Sequence, residues 1–513
     1  MALAKGHTSR ASYLGGIGFA FKFSWALYAL SYILGLVLRG IPELLSGIYP
    51  VGYDTVTYAA NILNLHERSL TDFVTAGPLF YILMFPLHYL GPYELFSALK
   101  VIGPVLYGFL IASFCFFLSR GLDWDARKSF LGALLCATQI VTLRISWDLF
   151  RNELGLIFLF ILLGSLLKND FHNRSAVGIL AVLVALSHPL VSVLMFFIVM
   201  AVAIKRKSWR TKHFLLPFLP SLLISIFAAI GFATPSTASP RVLYVQAPPF
   251  FALYPENVLV IYMIALFLFC YGLLLPFVLI GVSKDIVVSS ARATLCIGFL
   301  HALTIPISWP SLFWRRYILL LIFPFTVYAI IGFKKLNLLD KHIRILGLLI
   351  LLFVSVGTAY SSGCLPIRTV LYHIADGKSD RSVATVPFPG QDLYSIAQVI
   401  STYIPESMVQ SSIPIKDADD LVASLQWIND NAGESSCLLA EERFYPWSLI
   451  FLRKDITIIW YPQFYSPDGA LKISQEKRFE TVYLLWRGDF VSESFYEVRS
   501  YGEIRIFQYK ASY

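Results

Sequence analysis

The chain has 513 residues, of which 57% are hydrophobic and only 14% charged, and it carries a formal charge of +9. That balance excludes both an ordinary soluble globule and a disordered chain; it belongs to a polytopic α-helical membrane protein. The positive charge does not point to nucleic acid, because the basic residues fall in short clusters between apolar runs, as they do in loops on the inner side of a membrane.

At the N-terminus Lys5 and Arg10 precede an apolar run from Leu14 to Leu38 that is long enough to span and has no small-residue cleavage site, so a signal anchor is expected. With roughly 20 apolar residues per span, about eleven transmembrane helices are expected. They start near Leu14, Leu95, Ser129, Leu154, Ala176, Leu190, Phe214, Val258, Ala293, Tyr317 and Ile345. The fifth and sixth are short and hinge at Ser187-His188-Pro189. A cytoplasmic N-terminus puts Arg120, Arg127, Lys128, Lys168, Arg174, Lys205, Arg206, Lys284, Arg292, Lys334 and Lys335 inside, the bias expected of a multi-pass protein of the cell membrane. It puts every chemically interesting polar cluster outside.

The first of these clusters is Tyr49-Pro-Val-Gly-Tyr-Asp-Thr-Val-Thr-Tyr58. Pro50 and Gly52 break the preceding helix, and the spacing of Val56, Ala59, Ala60 and Leu63 predicts a short helix lying on the membrane with Asp54 as its N-cap. Capping alone would explain an aspartate there; a catalytic role at the outer face is the alternative. The stretch Gly77 to Gly91 is apolar, too short to span and rich in aromatics, so a second interfacial helix is expected. Residues 1–360 thus read as a membrane module with a long first outer loop, 40–94, and 361–513 as a soluble α/β domain outside. In that domain a helix is predicted over Asp417 to Asn431, with Leu421, Leu425 and Ile428 on one face. Strands are predicted over Ser436 to Ala440, Ile456 to Trp460, Thr481 to Trp486 and Glu503 to Gln508. Four cysteines lie in apolar segments; Cys364 and Cys437 are the two that can pair if this domain is outside.

Two further outer clusters carry chemistry. Arg144-Ile-Ser-Trp-Asp-Leu-Phe-Arg-Asn-Glu153 sets charges at the edge of a hydrocarbon layer, where they are paired or functional. Asp148 with Arg151 or Asn152 makes a cap and an ion pair, or Asp148 and Glu153 face Asp54 across an outer cavity. Two such carboxylates, Asp54 and Asp148, can hold a divalent cation such as Mg²⁺ or Mn²⁺ on a phosphate, or one can act as base while the other orients the acceptor. Arg315 and Arg316, followed by Tyr317, stand where a headgroup phosphate meets the hydrocarbon, and guanidinium forks suit phosphate oxygens. Interfacial anchoring is the plainer account of them. Tyr53, Tyr58, Arg151, Glu153 and His188 complete the candidates for substrate binding, although a lone histidine in an apolar segment is more often a packing residue than a ligand.

Together these residues resemble the GT-C superfamily of polytopic glycosyltransferases, in the style of protein O-mannosyltransferases and bacterial aminoarabinose transferases. The likeness rests on Asp54 in Gly-Tyr-Asp-Thr-Val-Thr-Tyr after the first span, Gly77-Pro-Leu-Phe-Tyr81 as the juxtamembrane helix, the second acidic residue Asp148, and Arg316-Tyr317 followed by Pro324. Two features depart from it: the superfamily's Asp-Glu pair is Asp54-Thr55 here, and the Trp-Trp-Asp signature of oligosaccharyltransferases is absent. The Ser187-His188-Pro189 pattern is similar to prokaryotic, especially archaeal, members. The resemblance implies an inverting hexosyl or pentosyl transfer at the outer face. The donor would be a polyprenyl-phosphate (dolichol-phosphate-like) sugar and the acceptor a protein, lipid or glycan. Asp54 would be base, Asp148 its partner, and Arg315 and Arg316 the phosphate clamps. A transporter or flippase of lipid-linked glycans, or a non-catalytic membrane scaffold, is the other class of reading; the first predicts inverted repeats and mid-membrane charges, neither of which the sequence displays.

Overall fold

The computed structural model describes residues 9–52, 54–65, 77–167, 174–206, 215–232, 241–245, 264, 266–304, 314–336, 345–353, 413, 415–461, 466–488 and 494–509. The first helix, α1 (Ser9–Leu45), contains the apolar stretch Trp25–Leu44 and leads into the loop that follows it. There α2 (Thr55–Leu63) and the short α3 (Leu79–Met84), extended by a 3₁₀ turn over Phe85–Tyr89, stand at the two positions where the sequence predicts short helices. Ile82, Leu83, Phe85 and Tyr89 are exposed on the second, an apolar face fit for a bilayer surface.

Helix α4 (Pro92–Phe116) returns alongside α1, the two backbones closing where Gly35 meets Tyr107 and Gly108 meets Tyr32. Next come α5 (Ala126–Ala137) and α6 (Ile140–Asp148), bent 65° from one another, and then α7 (Phe150–Leu167). The chain continues through α8 (Arg174–Ser187), α9 (Pro189–Lys205), α10 (Leu219–Phe232), α11 (Leu275–Gly281), α12 (Ile286–Thr304), α13 (Trp314–Leu320) and α14 (Ile322–Lys335). Phe114, Phe160 and Phe323, with ring centroids 4.9–5.4 Å apart, tie α4, α7 and α14 into one core.

Among the described residues four helices are long and apolar enough to cross a membrane, or five with the bent pair as one. The described residues therefore do not confirm the expected eleven. The spans starting near Ala176, Leu190, Phe214 and Ala293 are apolar helices of 10–17 residues, and those near Val258 and Ile345 fall partly outside the described residues. The span near Ser129 is broken because Gln139 is extended, and the hinge at His188 separates α8 from α9 because His188 is extended and Pro189 opens the next helix. The basic clusters gather at one end: Arg206 donates to the Leu167 carbonyl at 3.0 Å, Gly121 abuts Leu167, and Lys128 sits over Trp124 within electrostatic reach of Lys334.

The C-terminal part holds α15 (Ala418–Asn431), with Leu421, Leu425 and Ile428 fully buried as the spacing predicts. Its sheet has the order β1-β3-β2-β4-β6-β5. β2 (Ser436–Glu441), β3 (Thr457–Tyr461) and β4 (Thr481–Arg487) run parallel, with α16 (Tyr445–Phe451) and α17 (Asp468–Glu476) as crossovers. β5 (Phe495–Tyr501) and β6 (Ile504–Tyr509) add an antiparallel hairpin. The edge strand β1 (Val242–Tyr244) comes from the segment between α10 and α11 and pairs parallel to β3, Val242 against Ile458. Cys437 is fully buried inside β2 as a small core residue, and Cys364 lies outside the described residues. This domain rests on the first outer loop: the Tyr49 hydroxyl donates to Asp419 at 2.6 Å, and Trp447 meets the rings of Tyr49 and Phe96.

Candidate functional site

The site begins with a charged clamp at the C-terminal end of α1. Arg39 and Glu43, one turn apart, form a 2.6 Å ion pair and grip one residue between them. Arg39 donates to the Val51 carbonyl at 3.0 Å, and the Val51 amide donates to Glu43 at 2.9 Å. Both side chains are almost wholly buried, so the loop's path is fixed at Val51 by charge-assisted hydrogen bonds. Gly52 follows at φ +132°, in the glycine-favouring region, and a Cβ there would run into the Trp147 carbonyl and the Thr55 hydroxyl. Thr55 donates to that same carbonyl at 2.8 Å. The loop is thereby fastened to α6.

Asp54 occupies the N-cap position of α2, but its side chain makes no capping hydrogen bond, contrary to the sequence expectation. Its backbone amide is what is held, donating to Asp148 at 3.0 Å. Asp54 is half-buried as a residue, and its carboxylate, turned inward, has Arg144, Arg316 and Arg151 as its charged neighbours. Burial lifts the Asp54 carboxyl above its ordinary value against the pull of those three guanidiniums.

Asp148 is fully buried; one oxygen takes the Asp54 amide and the other is ion-paired with Arg144 one turn earlier. Both of its oxygens are thus engaged, by the Asp54 amide and by Arg144, at the position where the sequence suggests a second catalytic carboxylate. A divalent cation on Asp54 and Asp148 would have to displace Arg144, and no group of three His, Cys, Asp or Glu side chains converges among the described residues. With Asp148 engaged by Arg144 and three guanidiniums beside Asp54, the charge arrangement among the described residues disfavours Mg²⁺ or Mn²⁺ at this pair.

Tyr58, one turn after Asp54, stacks on Phe150 with centroids 5.0 Å apart and packs against Phe80 and Tyr81. Burial pushes its hydroxyl up to about 12. The Arg151 guanidinium lies 5.8 Å over the Tyr81 ring, a cation–π contact that holds it beside Asp54. His188 caps α9 through Nδ1, which accepts the Leu190 amide at 3.1 Å, and its Nε2 lies 3.2 Å from Arg316. Gly77, at φ +77°, brings the second interfacial segment so close that a Cβ would strike the Ser187 carbonyl.

Of the residues singled out in the sequence, Asp54, Asp148, Tyr58, Arg151, His188 and Arg316 converge. Glu153 is fully buried deeper in α7, with Arg39 as its charged neighbour instead of Asp54. Tyr317 lays its ring beside Gly298 of α12. Tyr53 and the Arg315 side chain lie outside the described residues. Sequence reasoning missed the Arg39–Glu43 clamp, although two opposite charges four residues apart at the end of an apolar helix were a visible signal. It also missed Thr55 and Phe150, whose roles depend on contacts across the fold.

No protein-family model matches the chain, and no curated protein matches it. Among solved structures it is similar to the arabinofuranosyltransferase AftD from mycobacteria, with 11% sequence identity and a TM-score of 0.47. The alignment covers 94% of this chain and 40% of that one, so the chain spans less than half the length of AftD.

Proposed function

We propose that the chain is a membrane glycosyltransferase that moves a sugar from a polyprenyl-phosphate donor to a hydroxyl acceptor at the outer face. The observation that carries this reading is the state of Asp54: a carboxylate released from capping, fixed through its backbone and ringed by three arginines. A raised carboxyl is a stronger base, matched to taking the acceptor proton as the acceptor oxygen attacks the anomeric carbon. The bond from that carbon to the phosphate oxygen breaks on the opposite face, with inversion, and the electron pair leaves on the phosphate. Arg316, with Arg151 beside it, would hold the departing dianion through bidentate hydrogen bonds, electrostatic stabilisation that needs no metal. Asp148 and Arg144 would keep Asp54 in place.

The test is release of polyprenyl phosphate from a panel of polyprenyl-phosphate sugars by the purified protein in lipid nanodiscs. Asp54→Asn should insert and fold but lose turnover; normal turnover by that variant would remove the base and the mechanism with it. Arg316→Lys should weaken donor affinity by about ten- to a hundredfold, since lysine cannot reproduce the fork. The proposed topology puts a reporter fused after Tyr360 outside and one after Arg210 inside. Finding both on one side would scatter the site.

A further inference from the structure

The histidine between α8 and α9 carries an inference from donor and acceptor accounting alone. His188 Nδ1 receives the Leu190 amide hydrogen at 3.1 Å, and a backbone amide can only donate. Nδ1 is therefore unprotonated, and the neutral ring must carry its one hydrogen on Nε2. That nitrogen stands 3.2 Å from Nη1 of Arg316, and a guanidinium can only donate as well. In the tautomer that the helix cap dictates, the His188–Arg316 approach is thus two N–H donors turned toward one place. Arg151, also near the ring, adds a second positive charge to that of Arg316. Donors from separate elements are reconciled by one acceptor with several lone pairs and a negative charge, and a phosphate oxygen has both.

We propose that His188 is a phosphate-binding residue, its Nε2–H and the Arg316 guanidinium together gripping a phosphate oxygen of the substrate. This rests on the reading of Arg316 as the donor-phosphate contact and adds to it the uncharged half of the seat. His188 is 4% exposed and its ring is held by the Leu190 amide, so this donor is aimed before the ligand arrives and little conformational freedom is lost on binding. The break at Ser187-His188-Pro189 has a use on this view: Pro189 opens α9 without needing an amide partner, and the ring at the cap position serves the helix with one nitrogen and the ligand with the other.

Two substitutions separate those uses. In His188→Asn the side-chain oxygen can still take the Leu190 amide, since asparagine is among the best N-caps, but nothing remains at the position of Nε2. In His188→Gln the amide nitrogen reaches the Nε2 position while the cap is lost. The full-length protein in nanodiscs would be titrated with two probes, a short polyprenyl phosphate and inorganic pyrophosphate, alongside Arg316→Lys and a thermal melt of each variant. We expect His188→Asn to melt with the wild type and bind both probes about tenfold or more weakly. His188→Gln should melt earlier yet stay within a few-fold of wild-type affinity. Wild-type affinity in His188→Asn would reduce His188 to a cap and overturn the proposal; if Arg316→Lys still weakened polyprenyl phosphate, the donor reading would survive. Pyrophosphate binding that depends on His188, without polyprenyl phosphate binding, would keep the seat and remove the lipid donor. Binding of neither probe to the wild type would sink both.

Discussion

Replacing Asp148 in two ways tests whether it positions Asp54 or takes part in chemistry. Its two oxygens have separate duties, one on the Asp54 amide at 3.0 Å and one on Arg144, and the residue is fully buried. Asp148→Asn keeps an oxygen for the amide but breaks the buried ion pair with Arg144, whose remaining carboxylate neighbour is Asp54. Breaking such a pair costs about 3–5 kcal/mol. Asp148→Ala loses both duties, and stranding the amide adds about 1–3 kcal/mol. The difference between the two variants therefore isolates the anchor on Asp54. A misplacement of about 1 Å in a reacting group is worth roughly a hundredfold in rate, so the alanine variant should lose about that much turnover while the asparagine variant keeps at least about a tenth. Thermal unfolding followed by tryptophan fluorescence, with polyprenyl phosphate release in the same samples, reads both quantities. Arg144→Met combined with Asp148→Leu should recover most of the stability without recovering turnover, because an apolar pair replaces the ions but not the acceptor. Full turnover in Asp148→Ala would refute the anchoring argument. Loss in Asp148→Asn as complete as in Asp54→Asn would return Asp148 to the chemistry.

Four other outcomes are expected. Because the Asp54 carboxyl is raised by burial, the base is protonated, and turnover falls tenfold per pH unit, already above the usual carboxylate range near ~4; a rate flat down to that range would contradict the environment described. The same shift means the folded chain holds this proton more tightly than the unfolded one. Its stabilising effect is present below the unfolded pKa and is lost as pH rises through the folded one, so Asp54→Asn should melt no earlier than wild type at neutral pH. Gly52→Ala should cost about 1–3 kcal/mol and most of the activity, since it adds a Cβ at φ +132° against the Trp147 carbonyl; a wild-type melting curve with full turnover would show that the loop is not held there. Tyr49→Phe removes the 2.6 Å hydrogen bond to Asp419, worth about 1.5–3 kcal/mol, and should make the C-terminal domain more readily released by limited proteolysis; an unchanged digestion pattern would leave the docking to Trp447 and its neighbours.

What the sequence revealed follows the range of the interactions involved. The helix bearing Leu421, Leu425 and Ile428, the break at His188-Pro189 and four of the sheet's strands all depend on spacing or on proline geometry, which are local. β5 was illegible because it is an edge strand whose Tyr496, Glu497, Arg499 and Ser500 are not buried, so its composition lacks the apolar alternation of a half-buried strand. The position of Asp54 at a helix start was legible, yet its side-chain geometry was not, because Asp148 and the three arginines reach it from other helices. Glu153 misled for a related reason: within its own segment nothing distinguishes a residue facing Asp54 from one buried beside Arg39.

The edge strand β1 has a consequence for how the protein is made. Val242–Tyr244 is synthesised roughly two hundred residues before the β3 strand it pairs with, and α11 through α14 lie in the interval. The pairing can form only if both ends of that interval emerge on the same side of the bilayer, so one helix too few or too many inserted between them would strand β1 on the wrong side. Closure of the sheet thus acts as a parity check on membrane insertion. A miscounted chain would betray itself by the exposed edge of β3, with unpaired backbone groups and the Trp460 side chain, to whatever proteases or chaperones survey that compartment.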